Sequence, residues 1–154
     1  MTVGMRQQVI DHLAAMGRAH RELVESLLEE DLSKKLADRS NTIGAQLWCV
    51  VGARESYARA IESDGWVGFS CSLSDEDAIS KKQVMEALAR SETLLAETAG
   101  SVDWTETRDG LLLDLLEHEA QHQGQIIRYM YALGRSFPES WVGRWALDQP
   151  DGPA

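Results

Sequence analysis

The sequence predicts an all-α protein, and more specifically a four-helix bundle. Only three of its 154 residues are proline, and two of these fall within the last five positions. A long stretch without proline has few obligatory helix breaks. No Asn-Gly or Asp-Gly turn pair stands between alternating apolar runs, as a β-hairpin requires, and Asp109-Gly110 is followed by helical periodicity. The length suits a single domain over residues 1–154 with one core.

Two long helices are predicted in the first half of the chain, at about residues 4–29 and 42–62. The first has apolar residues at three- and four-residue steps, which indicates one buried face. The second is apolar over much of its circumference, which is typical of a helix with two packing partners. Ser40 or Asn41 is the expected N-terminal cap of this second helix.

Two further helices are predicted at about residues 79–98 and 110–133, with Gly134 as the C-terminal cap of the last one. A Gly/Ser-rich segment of roughly a dozen or more residues precedes helix three, and its length permits a crossover. Ser74 and Asp77 resemble a capping box near the start of helix three. In the tail, residues 134–154, Trp141 and Trp145 are expected to pack a short helix onto the bundle or onto a second subunit, and the last few residues to fray.

The composition excludes several classes of partner. A net charge of −10 disfavours binding to nucleic acid and to anionic membranes. The longest apolar run is too short to span a bilayer, and the N-terminus has no apolar signal core. Cys49 and Cys71 form no CxxC motif. A cytoplasmic protein with reduced thiols is therefore expected.

His118 and His122 are the strongest chemical signal in the sequence. Residues four apart on a helix point the same way, with Cβ atoms about 5–6 Å apart, so two imidazoles can share one metal ion. Both lie on an apolar stripe that otherwise holds Leu, Ile and Tyr. Asp114, one turn earlier, is expected to orient the first ring. The alternative is a pair of core or interface histidines held by ordinary hydrogen bonds.

The letters HEAQH also fit the metallopeptidase pattern H-E-x-x-H, in which Glu119 would be the general base. That interpretation needs a third ligand beyond the helix, for which Glu139, Asp148 and Asp151 are available, and usually a sheet edge for the peptide. The sequence predicts no strands, so a peptidase is the least favoured of the metal-dependent functions.

LLLDLLEHEAQHQGQIIRYMYALG resembles the last helix of the DinB-like family, with His118, His122, Gly124 and Gln125 at the motif positions. NTIGAQLWCVVGARESY resembles the matching second helix. The resemblance implies an up-down-down-up four-helix bundle with a long crossover between helices two and three. It also implies a divalent ion, nickel or zinc most commonly, bound through three histidines, and a homodimer. Characterised members resemble thiol-dependent S-transferases, including bacillithiol and mycothiol enzymes.

The chain departs from the family at the first ligand, where Cys49 replaces the histidine of helix two. Either the thiolate completes the site or the site has lost one ligand. Zinc accepts Cys and His together with an open fourth position, and sulfur shifts preference towards softer ions. The alternative for Cys49 is a small buried apolar residue. His20, on the stripe of helix one, is a possible substitute ligand, although a core position is preferred.

These observations lead to competing functions. The first is a metal-dependent enzyme that activates a small-molecule thiol for attack on an electrophile. The second is a non-catalytic dimeric bundle that binds a small ligand and keeps a degenerate metal site. The metallopeptidase is the third. For the metal-dependent enzyme the expected ligands are Cys49, His118 and His122, with Gln46, Arg54 and Tyr129 available to line the cavity.

Overall fold

The computed structural model describes residues 1–149, and in this range it contains α-helices and short 3₁₀ helices but no β-strand. The all-α prediction is thus confirmed, whereas the predicted fraying of the last residues falls outside the described range. None of these helices is long and apolar enough to cross a lipid bilayer. The helices are α1 (Val3–Ser26), α2 (Ile43–Glu62), α3 (Lys81–Ser101), α4 (Glu106–Ala132) and α5 (Glu139–Trp145), with 3₁₀ helices at Glu29–Ser33 and Asp77–Ile79.

Each long helix begins after a hydroxyl side chain. That oxygen accepts a hydrogen bond from an amide in the first turn, which satisfies one of the amides that have no partner within the helix. Thr105 caps α4 in this way, which explains why α4 begins at Glu106, four residues before the predicted start at residue 110. The four caps are Thr2, Thr42, Ser80 and Thr105.

Two capping predictions were wrong in detail. Thr42 caps α2, whereas Ser40 accepts hydrogen bonds from the amides of the loop before it. Ser74 and Asp77 do hydrogen-bond to each other, but they lie at the start of the short 3₁₀ helix. Helix α3 is capped by Ser80. Several hydroxyl residues near a helix start offer equivalent local signals, and packing selects among them.

Helix α1 ends at Ser26, three residues before the predicted end at residue 29, because Leu27 and Leu28 are extended. Lys81, at the start of α3, donates hydrogen bonds from Nζ to the carbonyl oxygens of Leu27 (2.5 Å) and Glu25 (3.0 Å). The Lys81 side chain, from another helix, therefore hydrogen-bonds to carbonyl oxygens that a further turn of α1 would have paired with its own amides. The chain changes direction at this point, and Leu27 is buried.

Helices α1 and α2 each pack against both α3 and α4. The starts of α1 and α4 meet where Arg6 pairs with Asp109. The ends of α2 and α3 meet where Thr98 donates a hydrogen bond to Glu62. Since Lys81 also joins the start of α3 to the end of α1, these contacts agree with the expected up-down-down-up order.

The crossover between α2 and α3 lies along α2. Both the amide and the hydroxyl of Ser72 donate to the Glu55 carboxylate, at 2.7 and 2.5 Å. The Trp48 indole donates to the carbonyl oxygen of Leu73 at 2.8 Å. These bonds hold the crossover beside residues 48–55 of α2, the segment that contains Cys49.

The interior has two apolar clusters, one towards each end of the bundle, and each long helix carries a buried polar residue near the boundary between them. Helix α5 closes the larger cluster, because the Trp141 ring is fully buried and its Nε1 donates to the Ala19 carbonyl at 2.8 Å. Trp145 donates to Gln123 at 2.9 Å. The prediction that these tryptophans pack a short helix onto the bundle is confirmed. These buried polar residues, which we call the polar layer, are His20, Arg54, Ser91, Glu119 and Gln123.

Candidate metal centre

Helix α4 carries His118 and His122 on the side that faces the bundle interior. Their ring centroids are 4.5 Å apart, as expected for residues one turn apart. His118 is half-buried and His122 is 9% exposed. The helix thus brings both imidazoles to one place, as the spacing predicts.

Cys49 reaches the same place from α2. Its Sγ lies 3.5 Å from Nε2 of His118, and one ligand atom from each of Cys49, His118 and His122 falls within 4.8 Å of the others. Tetrahedral bonds of about 2.1 Å to nitrogen and about 2.3 Å to sulfur would place N and S about 3.6 Å apart. The sulfur–nitrogen edge therefore already has the length that a tetrahedral zinc site needs, and the donor set fits a divalent ion.

Gln46 lies one turn before Cys49 on α2 and hydrogen-bonds to His122. The distance from His122 Nδ1 to Gln46 Oε1 is 2.6 Å. Because an amide oxygen only accepts, Nδ1 carries the proton and Nε2 keeps its lone pair for an ion. From the sequence, Gln46 was predicted only to line the cavity. Its position three residues before Cys49 was the signal that it shares the same face of α2.

The predicted role of Asp114 was wrong. Asp114 is exposed, and Nδ1 of His118 has no hydrogen-bond partner among residues 1–149. Four residues on α4 advance about 400° around the axis, so Asp114 is displaced by about 40° from His118 and falls at the solvent edge of the stripe. The two histidines are therefore held unequally.

Burial keeps both imidazoles neutral. It lowers the pKa of His122 to about 4 and also lowers the pKa of His118, against the opposing charge of Glu119. Burial raises the pKa of the Cys49 thiol. Metal ligands must be neutral imidazole and thiolate, so near neutral pH the proton released on metal binding comes from Cys49.

We expect a Gln46→Leu variant to bind Zn²⁺ about 10- to 100-fold more weakly than the natural chain, because His122 loses the acceptor that fixes its ring and tautomer. Competition with a chromophoric chelator measures the change. Gln121→Leu on α4 is the matched control, since Gln121 is exposed on the same helix. Equal loss in both variants would contradict a specific role for Gln46.

A buried ion pair lies next to the three candidate ligands. Arg54 of α2 donates from Nε and Nη2 to the two carboxylate oxygens of Glu119, at 2.5 and 2.7 Å, and both residues are at most 1% exposed. Nη2 also lies 3.3 Å from Nδ1 of His20. His20 is therefore a core histidine, as preferred from the sequence, and Arg54 belongs to the polar layer.

This ion pair argues against the metallopeptidase interpretation. Both oxygens of Glu119 are occupied by Arg54, so the carboxylate is not free to act as a general base. Among residues 1–149 the ligand group contains Cys49 and the two histidines, and neither Glu139 nor Asp148 joins it. Asp151 lies outside the described residues.

The buried histidines should make the metal-free protein sensitive to acid. Burial, followed by the charge of Arg54, lowers the pKa of His20 well below the ordinary value. Below pH 6.5 the unfolded chain protonates its histidines while the folded chain does not. We therefore expect the free energy of unfolding to fall, by about 1.4 kcal/mol per pH unit for each such histidine, as the pH drops from about 6.5. For His122 the loss ends near its folded pKa of about 4.

Urea denaturation at several pH values, in the presence of a chelator, measures this dependence. A His20→Leu variant should show a shallower slope between pH 6.5 and 5 by the contribution of one histidine. His12→Gln, at an exposed position of the same helix, is the matched control and is expected to keep the natural slope. An unchanged slope in His20→Leu would show that His20 is not held neutral.

The DinB family profile matches residues 1–146, nearly the whole chain. No curated protein matches the sequence. DinB proteins are generally metal-binding, and the described part of this chain holds a Cys/His/His group that could bind an ion. The chain therefore belongs to the DinB family.

Proposed function

We propose that this chain is a metal-dependent thiol S-transferase that acts on a small electrophile. The observation that supports it most directly is that the ligand group opens onto a pocket of about 540 Å³, which Cys49 and His122 both line. A closed structural site would leave no room for a substrate beside the ion. The size falls within the range of small-molecule sites.

The donor set favours zinc or nickel. One sulfur and two imidazole nitrogens are soft or borderline donors, which select these ions over magnesium or manganese. Three protein ligands with a pocket beside them are typical of a catalytic site with an open coordination position. When bound, the ion would supply the positive charge that stabilises a substrate thiolate at neutral pH.

The pocket itself indicates the charge of the substrate. Asp75, in the crossover, is the one carboxylate among its described lining residues, and no lysine or arginine joins it. Trp48 offers an apolar wall, and Asn41 offers an amide. The charge of a bound divalent ion would be balanced by the Cys49 thiolate and the substrate thiolate, so a further carboxylate on the substrate would meet Asp75 with no lysine or arginine to compensate it. A neutral or cationic thiol is therefore favoured over one that carries a carboxylate.

The test uses protein purified without a polyhistidine tag, loaded with Zn²⁺ or Ni²⁺, and 1-chloro-2,4-dinitrobenzene as electrophile. The substrate sulfur forms a bond to the ring carbon, the carbon–chlorine bond breaks, chloride leaves and the thiol proton passes to solvent. We expect a metal-dependent rate that a chelator abolishes. The order of kcat/KM should place 2-mercaptoethanol and cysteamine above mercaptoacetate.

Four variants separate the role of the ligand set from that of the pocket. Cys49→Ala and His118→Ala should each lose metal and activity, whereas Cys49→His should keep both, because it provides the third imidazole that the resemblance implies. Asp75→Asn should keep the metal and raise the relative rate with mercaptoacetate. Unchanged metal affinity in Cys49→Ala would end its assignment as a ligand, and failure of every thiol to react with the loaded protein would overturn the proposed reaction.

A non-catalytic bundle with a degenerate metal site is the second candidate. The observation in its favour is the unequal support of the histidines, since Gln46 holds His122 while His118 Nδ1 has no partner among residues 1–149. Protein of this kind would contain less than one ion per chain and would unfold at the same urea concentration with and without chelator. A stoichiometric ion and a chelator-dependent stability would exclude it.

A further inference from the structure

The pocket at the candidate metal centre has an apolar side that the candidate ligands do not use. Ala45 and Trp48 of α2 lie on this side, together with Ala78 and Ile79 of the second 3₁₀ helix. Ala45 lies one helical turn before Cys49, and Trp48 is its chain neighbour. Trp48 is half-buried and Ile79 is 50% exposed. A ligand that covers these two side chains would therefore remove apolar surface from water directly beside the candidate ligands.

Most polar side chains of the pocket already have partners. The hydroxyl oxygen of Thr42 accepts a hydrogen bond from an amide in the first turn of α2, at 3.0 Å. Gln46 Oε1 is bound to His122. Among the described lining residues this leaves the amide of Asn41 and the carboxylate of Asp75, both at exposed positions. Away from the ion, a substrate thus meets few free polar groups and no cation, which favours an uncharged apolar body.

The Trp48 ring is held in place without a ligand. Its Nε1 donates a hydrogen bond to the Leu73 carbonyl at 2.8 Å, and the Phe69 ring packs against it with centroids 5.4 Å apart. Aromatic rings pair favourably at centroid distances of 4.5–7 Å. Because both contacts exist before a ligand arrives, binding to this surface costs little ordering entropy. Trp48 is therefore a preorganised surface for a second aromatic ring.

The opposite wall is held by the backbone. Gly44 of α2 approaches the carbonyl oxygen of Ala78 so closely that a Cβ atom would not fit between them. The second 3₁₀ helix is thereby fixed against the start of α2, and the small side chains of Ala45 and Ala78 leave the space above this contact open. A cavity of about 150 Å³ can hold benzene. The pocket, at about 540 Å³, has room for one ring beside a small thiol.

We propose that the electrophile is a neutral aromatic compound with a leaving group on its ring, and that this ring lies between Trp48 and Ile79. The inference rests on the proposed function, to which it adds the class of the second substrate. The substrate sulfur forms a bond to the ring carbon, the bond from that carbon to a halide breaks, the halide leaves, and the thiol proton passes to solvent. Trp48 selects for the aromatic ring, and Ala45 leaves space for it.

Nitrobenzene is the probe, because it has no leaving group and binds without reacting. Nitrocyclohexane, which has the same polar group on a saturated ring, is the matched ligand. Each is titrated into the metal-free full chain, followed by NMR of the Trp48 indole N–H and the Ile79 methyl groups. We expect saturable shifts at both residues and a Kd for nitrobenzene about 2- to 10-fold lower than for nitrocyclohexane. Equal or tighter binding of nitrocyclohexane would overturn the aromatic preference.

Two pairs of variants test the location. Trp48→Leu should weaken nitrobenzene binding about 3- to 10-fold. Trp66→Leu removes an exposed ring of the crossover that does not line the pocket, and should bind as the natural chain does. Ala45→Leu should fill the space for the ring and weaken binding at least about tenfold, whereas Ala89→Leu, exposed on α3, should not. Urea denaturation checks folding, and Ala45→Leu decides if Trp48→Leu does not fold. Equal binding in Ala45→Leu and Ala89→Leu would overturn the proposal.

The zinc-loaded protein separates this inference from the proposed function. The ratio of kcat/KM for 1-chloro-2,4-dinitrobenzene to that for iodoacetamide, which has no ring, should fall about tenfold in Ala45→Leu and stay constant in Ala89→Leu. Binding of nitrobenzene at Trp48 without turnover of any electrophile would support the aromatic site and overturn the transferase reaction. Turnover with the same ratio in both variants would support the reaction and overturn the aromatic site.

Discussion

Replacement of Arg54 by methionine is expected to lower the free energy of unfolding by about 3–5 kcal/mol. The substitution roughly conserves the apolar stem, so packing changes little, but it leaves the Glu119 carboxylate buried without its partner. A buried charge that loses its counter-ion keeps its full desolvation cost. Urea denaturation of the metal-free protein at neutral pH measures the effect.

The double variant Arg54→Met with Glu119→Leu is the control. Removal of both charges eliminates the uncompensated group, and exchange of a buried ion pair for apolar residues is often neutral or stabilising. We expect the double variant to regain at least about 2 kcal/mol relative to Arg54→Met alone, which is a coupling energy typical of residues in direct contact. A decrease of less than about 1 kcal/mol in the free energy of unfolding of Arg54→Met would contradict the burial of both residues away from solvent.

Gly44→Ala is expected to destabilise the protein by about 3 kcal/mol. Gly44 lies in the first turn of α2, and an added Cβ would fall within 3.0 Å of the carbonyl oxygens of both Leu32 and Ala78. These are backbone atoms of the two 3₁₀ helices, so neither can rotate away as a side chain would. Because Ala78 also lines the pocket at the candidate metal centre, the strain should reach that site too.

Gly124→Ala is the matched control for this prediction. Gly124 lies in the interior of α4, and an added Cβ there meets nothing within 4 Å. We expect this variant to be up to about 1 kcal/mol more stable, since alanine is the better helix former. Urea denaturation of both variants gives the comparison. Equal behaviour of the two would contradict the close approach of the 3₁₀ helices to α2.

The helices could be predicted because their signals are local. Apolar residues repeat at three- and four-residue steps, and proline is absent from the long segments. The ends of the helices were predicted less well. Helix α1 stops early because Lys81, from another helix, binds its last carbonyls. Nothing within residues 1–33 contains that information.

The candidate metal centre was predictable in part for the same reason. His118 and His122 face the same way in any regular helix that contains them, so their pairing follows from the sequence. Cys49 was identified through the resemblance of α2 to the DinB-like pattern, and no periodicity in the chain would have placed it beside His118. The hydrogen bond from His122 to Gln46 was not predicted, because it joins two helices.

The sequence by itself therefore determined the all-α class, the four long helices and the histidine pair of α4. Tertiary structure decided which residues of α2 meet that pair, that Glu119 is bound by Arg54 and is not a free base, and where the pocket beside the candidate ligands lies. The physical reason is that the regular geometry of a helix, with a rise of about 1.5 Å per residue, determines where its own side chains lie relative to one another. Contacts between helices depend in addition on how the helices are rotated and shifted along their axes relative to each other. A shift of one turn, about 5.4 Å, would exchange one set of partners for another.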